Sequence, residues 1–439
     1  MAIRDLLLIA FIFGSLPFCF RWPWVGILVW SWIGYMNPHR LSWSLAESIP
    51  FAQVVALTTI GGLFFTKARQ SLPRSRELYF LILLWVIFLL STLFAVYPES
   101  AWAQFNKVSK ILLMTFITLV LFQDPKKLRA LLWVIALSIG FFGLKGGIWA
   151  LLTGGQYKVL GPPDSFIAGN TEIGLALNMV LPIFLFLRSG ETRPWLRHFL
   201  LAMFGFSVIA VLLTYSRGAL LGLGVVLSLI ILKNRGKILI LLFLGLGIFL
   251  AGSMLPEKWF GRMETIQSHE EDPSATGRII AWRLSYRMAL DRPILGFGFQ
   301  PFTPEVYRQY MPEHSYHVER SADAHNIFFQ VLAEHGFVGV ILYAGLILST
   351  MLSLRKMIRM SRKDPSMGWI YHCTQMLEAS LAGYLVCGFF LSRSYFDLFY
   401  HFVAITVILK TLFLIQRREE FKPMDSVSSL AKPKSTNLR

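Results

Sequence analysis

Residues 198–233 read HFLLAMFGFSVIAVLLTYSRGALLGLGVVLSLIILK, two apolar runs at 197–215 and 217–232 joined by little more than Tyr215-Ser216-Arg217. A helix needs roughly 20 apolar residues to cross the hydrocarbon core, so each run reads as a crossing and the joint as a turn at the membrane surface. Arg217 must face that surface or a cavity open to it, because a guanidinium at membrane depth is costly and by default marks a site. The plainer alternative is that it snorkels to the headgroups.

The same pattern extends over the chain. Of 439 residues, 55% are hydrophobic and 15% charged, where soluble domains average about 25% charged; the mean hydropathy is +0.56. A soluble globular protein is excluded. Apolar runs fall near 5–36, 50–66, 78–96, 107–122, 128–152, 172–188, 197–215, 217–232, 237–254, 326–354, 373–391 and 396–415, giving an all-α polytopic membrane protein of about twelve transmembrane helices. The first run is too long for one straight helix and contains Arg21-Trp22-Pro23, so it crosses either once in total or twice. Its first 20 residues lack a small-residue cleavage site and read as a retained anchor.

Charge sets the orientation. Lys and Arg cluster at 67–76, 126–129, 188–197, 233–237, 355–363 and 417–422, which the positive-inside rule makes cytoplasmic. They alternate without conflict with loops at 37–49, 97–106, 153–171, 215–217, 255–325 and 392–395, which therefore face outward. The one extramembrane piece large enough to fold is the loop 255–325; ten acidic and eight basic residues leave it at −2 within a net charge of +17. The excess positive charge is a topology signal and gives no reason to expect nucleic-acid binding. The chain divides into a bundle at 1–254, the loop 255–325 with amphipathic helices, the helices 326–416, and a Lys/Ser/Pro-rich tail 417–439 expected to be cytoplasmic and disordered. Cys19, Cys373 and Cys387 all lie in apolar runs. The last two would stand about 21 Å apart along one helix, too far to bridge.

Three outward features could carry chemistry. Besides the Arg217 turn, residues 276–290 read as a helix with Thr276 as N-cap and Pro293 as a stop. At about 100° per residue, Arg278, Trp282, Ser285 and Ala289 share one face, Arg283 and Arg287 point away, and Ile280, Leu284 and Met288 form a stripe suited to a membrane surface. The third is Asp323-Ala324-His325-Asn326, directly before an apolar run. A helix N-terminus there disfavours imidazolium, keeping the ring neutral as a general base requires, and its free N–H groups attract phosphate; a plain cap residue is the bland reading. His314 and His317 with Glu313 or Glu319 are a weak metal candidate without fixed period. No Walker or zincin motif occurs.

Taken together, Ser216-Arg217-Gly218-Ala219, the segment from Gly277-Arg278 through Trp282 to Pro293-Ile294-Leu295-Gly296-Phe297-Gly298, and Ala324-His325-Asn326 through Gln330 and Gly336 resemble the O-antigen ligase and polymerase superfamily. More narrowly, RDLLLIAFIFGSLPF from Arg4, YMNPHRLSW from Tyr35 and FLSRSYFDLFYHF from Phe390 are similar to O-glycosylation ligases associated with exosortase systems. The resemblance spans essentially the whole chain. It implies a GT-C-like glycosyltransferase of the bacterial inner membrane, with its site facing the periplasm. Such enzymes move a glycan from undecaprenyl diphosphate to lipid A-core or another hydroxyl acceptor. Carried over, Arg217 and Arg278 would bind the diphosphate and His325 would act as base, with Tyr215, Ser216, Trp282, Asn326 and Arg393 as candidates for support. No metal and no cofactor is implied, since no cluster of outer carboxylates resembles a metal site. A polymerase needs the same donor chemistry. A lipid-linked glycan transporter would instead concentrate ionisable residues near the midplane, and a scaffold would leave Arg217 and His325 without a role.

Overall fold

A computed structural model of the chain describes residues 3–42, 45–67, 69–233, 273–313 and 323–420. Among these the regular structure is entirely helical. In chain order the helices are α1 (Ile3–Arg21), α2 (Pro23–Met36), α3 (Leu45–Ser48), α4 (Phe51–Phe65), α5 (Arg76–Leu93), α6 (Pro98–Leu121), α7 (Pro125–Leu152), α8 (Asn170–Ser189), α9 (Pro194–Leu212), α10 (Arg217–Lys233), α11 (Pro273–Asp291), α12 (Pro304–Tyr310), α13 (Ile327–Ser361), α14 (Gly368–Gly388) and α15 (Asp397–Glu420). Eight of them are long and apolar enough to cross a membrane. Their outward faces keep large apolar side chains exposed, such as Ile341 at 67% and Leu348 at 60%. An aqueous surface would not tolerate so broad an apolar face, so the chain is a multi-pass membrane protein. The candidate span 237–254 and the tail from 421 lie outside the described residues.

Hydrogen bonds between loops sort the molecule into two poles. At one, Tyr215 reaches Gly155, Arg40 approaches Asp164, Thr303 bonds Tyr97, the N–H of Val96 donates to Phe297, and that of His325 to Ser392. The described parts of all six loops assigned outward thus gather at one end. At the other, Arg129 donates to the Gly190 carbonyl, Gln123 to Ser71, and Lys233 and Arg355 both pair with Glu378, so the described parts of the clusters around 67–76, 126–129, 188–197, 233 and 355 share the opposite end. The C-terminal α14 packs between α8 and α10, which joins the sequence-distant halves into one bundle.

One open alternative is decided and two expectations need correction. The run 5–36 is a hairpin turning at Trp22: the rings of Phe11 and Trp32 stand 5.2 Å apart, and Arg4 bonds the Leu41 carbonyl. Both its ends lie at the site pole, so a single net crossing is excluded. The segment 97–106, read as a loop, is the start of α6, because Pro98 suits a first helical turn. The run 326–354 is not one helix either. Gly336, at φ 66° and ψ −168°, breaks α13 into a short segment Ile327–His335 and a long one from Phe337.

Candidate functional site

The turn before α10 is built to present Arg217. Tyr215 sits at φ 57°, which few non-glycine residues adopt outside strained or functional turns. Its hydroxyl donates to the Gly155 carbonyl at 2.6 Å, and burial raises the pKa of the phenol. The Ser216 hydroxyl accepts the Ala219 N–H at 3.2 Å, capping the helix, and Asn170 Nδ2 holds the Thr214 carbonyl at 2.8 Å. Tyr215 and Ser216 therefore shape the turn, and Arg217 is the first residue past it. The next residue, Gly218, packs on the end of α14: a Cβ there would stand 3.0 Å from the Phe390 Cβ.

Arg278 reaches the same place from the loop. Helix α11 begins at Pro273, so Thr276 lies inside it and is not its cap. The face carrying Arg278 and Trp282 does turn inward, with Ser285 and Ala289 fully buried. The stripe of Leu284 and Met288 is also fully buried and packs on Val306, Tyr307, Met311 and Ala333. The expected membrane-surface stripe is thus a protein contact. The Trp282 ring stacks on Phe329 at 5.2 Å, meets Phe389 edge-on at 5.5 Å, and donates through Nε1 to the Ala324 carbonyl at 2.9 Å. One turn earlier, the Arg278 guanidinium lies 5.7 Å from the centre of the Phe390 ring. Arg283 is exposed, while Arg287 bonds Glu313 and the Tyr310 carbonyl.

His325 stands immediately before the N-cap of α13. That cap is Asn326, whose Oδ1 accepts from the N–H groups of Phe328 and Phe329 at 2.8 and 3.2 Å. Its Nδ2 donates to the Phe389 carbonyl at 3.0 Å. His325 itself is at φ 46°, with its N–H donated to Ser392 Oγ at 2.7 Å. Its pKa is lowered from 6.5, by burial first, with Arg278 and Arg393 adding to the fall and Asp323 and Glu172 opposing it. The direction is the one expected from the sequence; the main cause is burial.

Arg393 ties the loops to this centre. Its guanidinium pairs with Glu172 at 2.9 Å and bonds the carbonyls of Phe166 and Ser392 at 3.2 and 3.0 Å. Beside it opens a cavity of about 320 Å³ bordered by Ser392, Arg393, Tyr395, Asp323, Gln330 and Glu334, with Gln104, Gln300, Phe166 and Phe302 completing the wall. The structure therefore brings Arg278, Trp282, His325, Asn326 and Arg393 onto one short stretch, Phe389–Arg393, and seats Gly218, the residue after Arg217, against Phe390. Glu172, Ser392 and Phe390 were not singled out in the sequence. Glu172, an acid at the outward end of an apolar run, was open to reading as the partner of an outward arginine; Phe390 gave no signal among other apolar residues. His314, His317 and Glu319 of the weak metal candidate lie outside the described residues.

Residues 200–344, which contain Arg217, Arg278 and His325, match the family described as O-Antigen ligase. Residues 3–192 match a family of unknown function, DUF5935. Comparison with curated proteins found no match. The O-antigen ligase match covers about a third of the chain and takes in every motif on which the superfamily resemblance rests, so residues 200–344 form an O-antigen ligase domain.

Proposed function

We propose that the chain transfers a glycan from undecaprenyl diphosphate to an acceptor hydroxyl at the site pole, which faces the periplasm of a bacterial inner membrane. The observation that carries this reading is convergence. Three elements far apart in sequence meet at Phe390–Ser392: the start of α10 through Gly218, next to Arg217, the start of α11 through Arg278, and the approach to α13 through His325. Arg217 and Arg278 hold the diphosphate, as planar, permanently ionised forks suited to phosphate oxygens. His325, kept neutral by burial, takes the proton of the acceptor hydroxyl. The acceptor oxygen then bonds to the anomeric carbon as the bond from that carbon to the phosphate oxygen breaks. The lipid diphosphate leaves as an anion stabilised by the arginines, the configuration inverts, and the proton passes from His325 to solvent. The narrower reading, an exosortase-associated O-glycosylation ligase, rests on the sequence stretches at 4–18, 35–43 and 390–402.

The test is transfer in vitro by purified protein in nanodiscs, with a defined undecaprenyl-diphosphate oligosaccharide and a hydroxyl acceptor. The expected product is the acceptor carrying the glycan, formed equally in the presence of a chelator. Extension of one lipid-linked glycan by another would reassign the chain to polymerisation. Movement of intact donor across the bilayer with no new glycosidic bond would overturn the reading.

A further inference from the structure

Glu334 has no part in the mechanism above, yet its surroundings are those of a binding group. It lies on the short segment of α13 before the Gly336 break, 1% exposed, and still borders the 320 Å³ cavity. Its carboxylate accepts from the Tyr395 hydroxyl, the Gln300 N–H at 3.1 Å and Gln330 Nε2 at 3.5 Å. No Lys or Arg pairs with it among the described residues; the buried His335 Nε2 stands 3.9 Å from its Oε2. Two carboxylate oxygens offer about four acceptor positions, so three neutral donors leave capacity facing the cavity. A polar side chain buried with hydrogen-bonding capacity unfilled is costly, and a ligand hydroxyl that bonds to the carboxyl group offsets that cost. The rest of the wall suits a sugar ring: side-chain amides and Asp323 for adjacent hydroxyls, aromatic rings for its C–H faces. The volume is at the small end of the roughly 300–1,000 Å³ typical of small-molecule sites.

We propose that this cavity is the acceptor subsite, that it binds a saccharide ring, and that Glu334 is its principal hydroxyl-reading residue. Assignment to the acceptor rests on the function proposed above and on position. Gly218, which follows Arg217, and Arg278 gather around Phe390, whereas the cavity opens two to five residues further on, at Ser392, Arg393 and Tyr395. His325 is tied to Ser392 between them. In-line displacement puts nucleophile and leaving group on opposite sides of the reacting carbon, so the side away from the arginines belongs to the acceptor.

Glu334→Gln keeps the shape and replaces the carboxyl group by an amide; Gln104→Ala alters the rim at a half-buried residue. In steady-state transfer, both variants should raise the acceptor KM about tenfold while the donor KM stays within twofold and the thermal midpoint is unchanged. A raised donor KM with an unchanged acceptor KM would make the cavity a donor-sugar site, and a fall in kcat with both KM values unchanged would leave no saccharide there; either overturns the proposal. A second measurement is independent of catalysis. Saturation-transfer NMR of the wild-type protein with free glucose and N-acetylglucosamine should show ring-proton contacts that Glu334→Gln loses. Those contacts in a protein without transferase activity would sink the proposed function and keep the subsite; transfer with no contact from either sugar and no change in acceptor KM would do the reverse.

Discussion

Gly296 and Gly336 lie backbone against backbone, both at positive φ, and a Cβ added to Gly296 would stand 2.6 Å from the Gly336 amide nitrogen. Between them the loop and α13 exchange hydrogen bonds. In an unbroken helix the N–H groups of Phe337 and Val338 would go to the carbonyls of Ala333 and Glu334. Instead Phe337 donates to Pro293, while Phe297 and Gly298 donate to Ala333 and Glu334. The Pro293–Gly298 motif is thus the piece of loop that fills a helix break. It fixes α11, and with it Arg278 and Trp282, against the segment that carries His325.

Alanine at either glycine should therefore loosen the site. At position 336 the Cβ would meet the Pro293 carbonyl at 2.5 Å, and a left-handed non-glycine residue adds about 1–2 kcal/mol of strain. Both variants should lose thermal midpoint in detergent and lose transfer in parallel. Gly224→Ala, where nothing lies within 4 Å of the added methyl, is the control and should be neutral or slightly stabilising. Equal midpoints for Gly336→Ala and Gly224→Ala would refute the packing argument.

The fold class was legible because crossing a membrane imposes one rule, length plus apolarity, that the runs around Arg217 obey openly. The division into two poles was legible for the same reason: Lys233 and Arg129 mark one end by charge alone. What was hidden depended on tertiary partners. The Trp22 turn and the Gly336 break lie within apolar runs, where periodicity carries no record of direction. The stripe of Leu284 and Met288 looks the same whether it meets lipid or Val306 and Met311. The three proposed site residues were visible as charges out of place; Phe390, on which Gly218 and Arg278 converge, was one phenylalanine among 37.

Arg393 and Glu172 clamp the 153–171 and 392–395 loops together, so their loss should be structural before it is chemical. The pair is partly screened, with side chains 27% and 18% exposed, which places its disruption between surface and buried ion pairs, about 1–3 kcal/mol. Arg393→Ala also abandons the Phe166 and Ser392 carbonyls and should cost more midpoint than Glu172→Gln, which keeps both bonds. The reverse order would show that the ion pair, and not the carbonyl contacts, holds the loops.

The two poles can be distinguished by thiol labelling, since the three native cysteines are buried. In spheroplasts, a membrane-impermeant reagent should label a cysteine placed at Asp164, on the site pole, and spare one at Lys356, on the basic pole. Labelling at 356 with protection at 164 would invert the orientation and remove the periplasmic site with it.

Arg217→Ala and Arg278→Ala should each abolish transfer while leaving insertion and the thermal midpoint intact. Lysine at either position should restore only part of the rate, because a point charge cannot reproduce a bidentate fork. The check is single-turnover transfer at saturating acceptor, with donor binding measured separately. Wild-type turnover in either alanine variant would remove that arginine from the diphosphate site.

His325→Ala should lose rate far more than donor affinity, because the base acts on the acceptor and the arginines hold the donor. General-base assistance contributes about 10² to 10⁴-fold, roughly 3–5 kcal/mol of barrier. The pH profile supplies the sign. Burial, with Arg278 and Arg393 behind it, lowers the imidazole pKa from 6.5, so the ring stays unprotonated and competent at neutral pH. Transfer should hold down to the ordinary histidine value and fall only as pH drops through the lower one. Replacing Arg278 by Gln removes one of the charges that depress it, and whatever transfer remains should lose its acid limb at a higher pH than the wild type. An acid limb that persists unchanged in His325→Ala, or a His325→Ala protein as defective in donor binding as the arginine variants, would take the base assignment away from this residue.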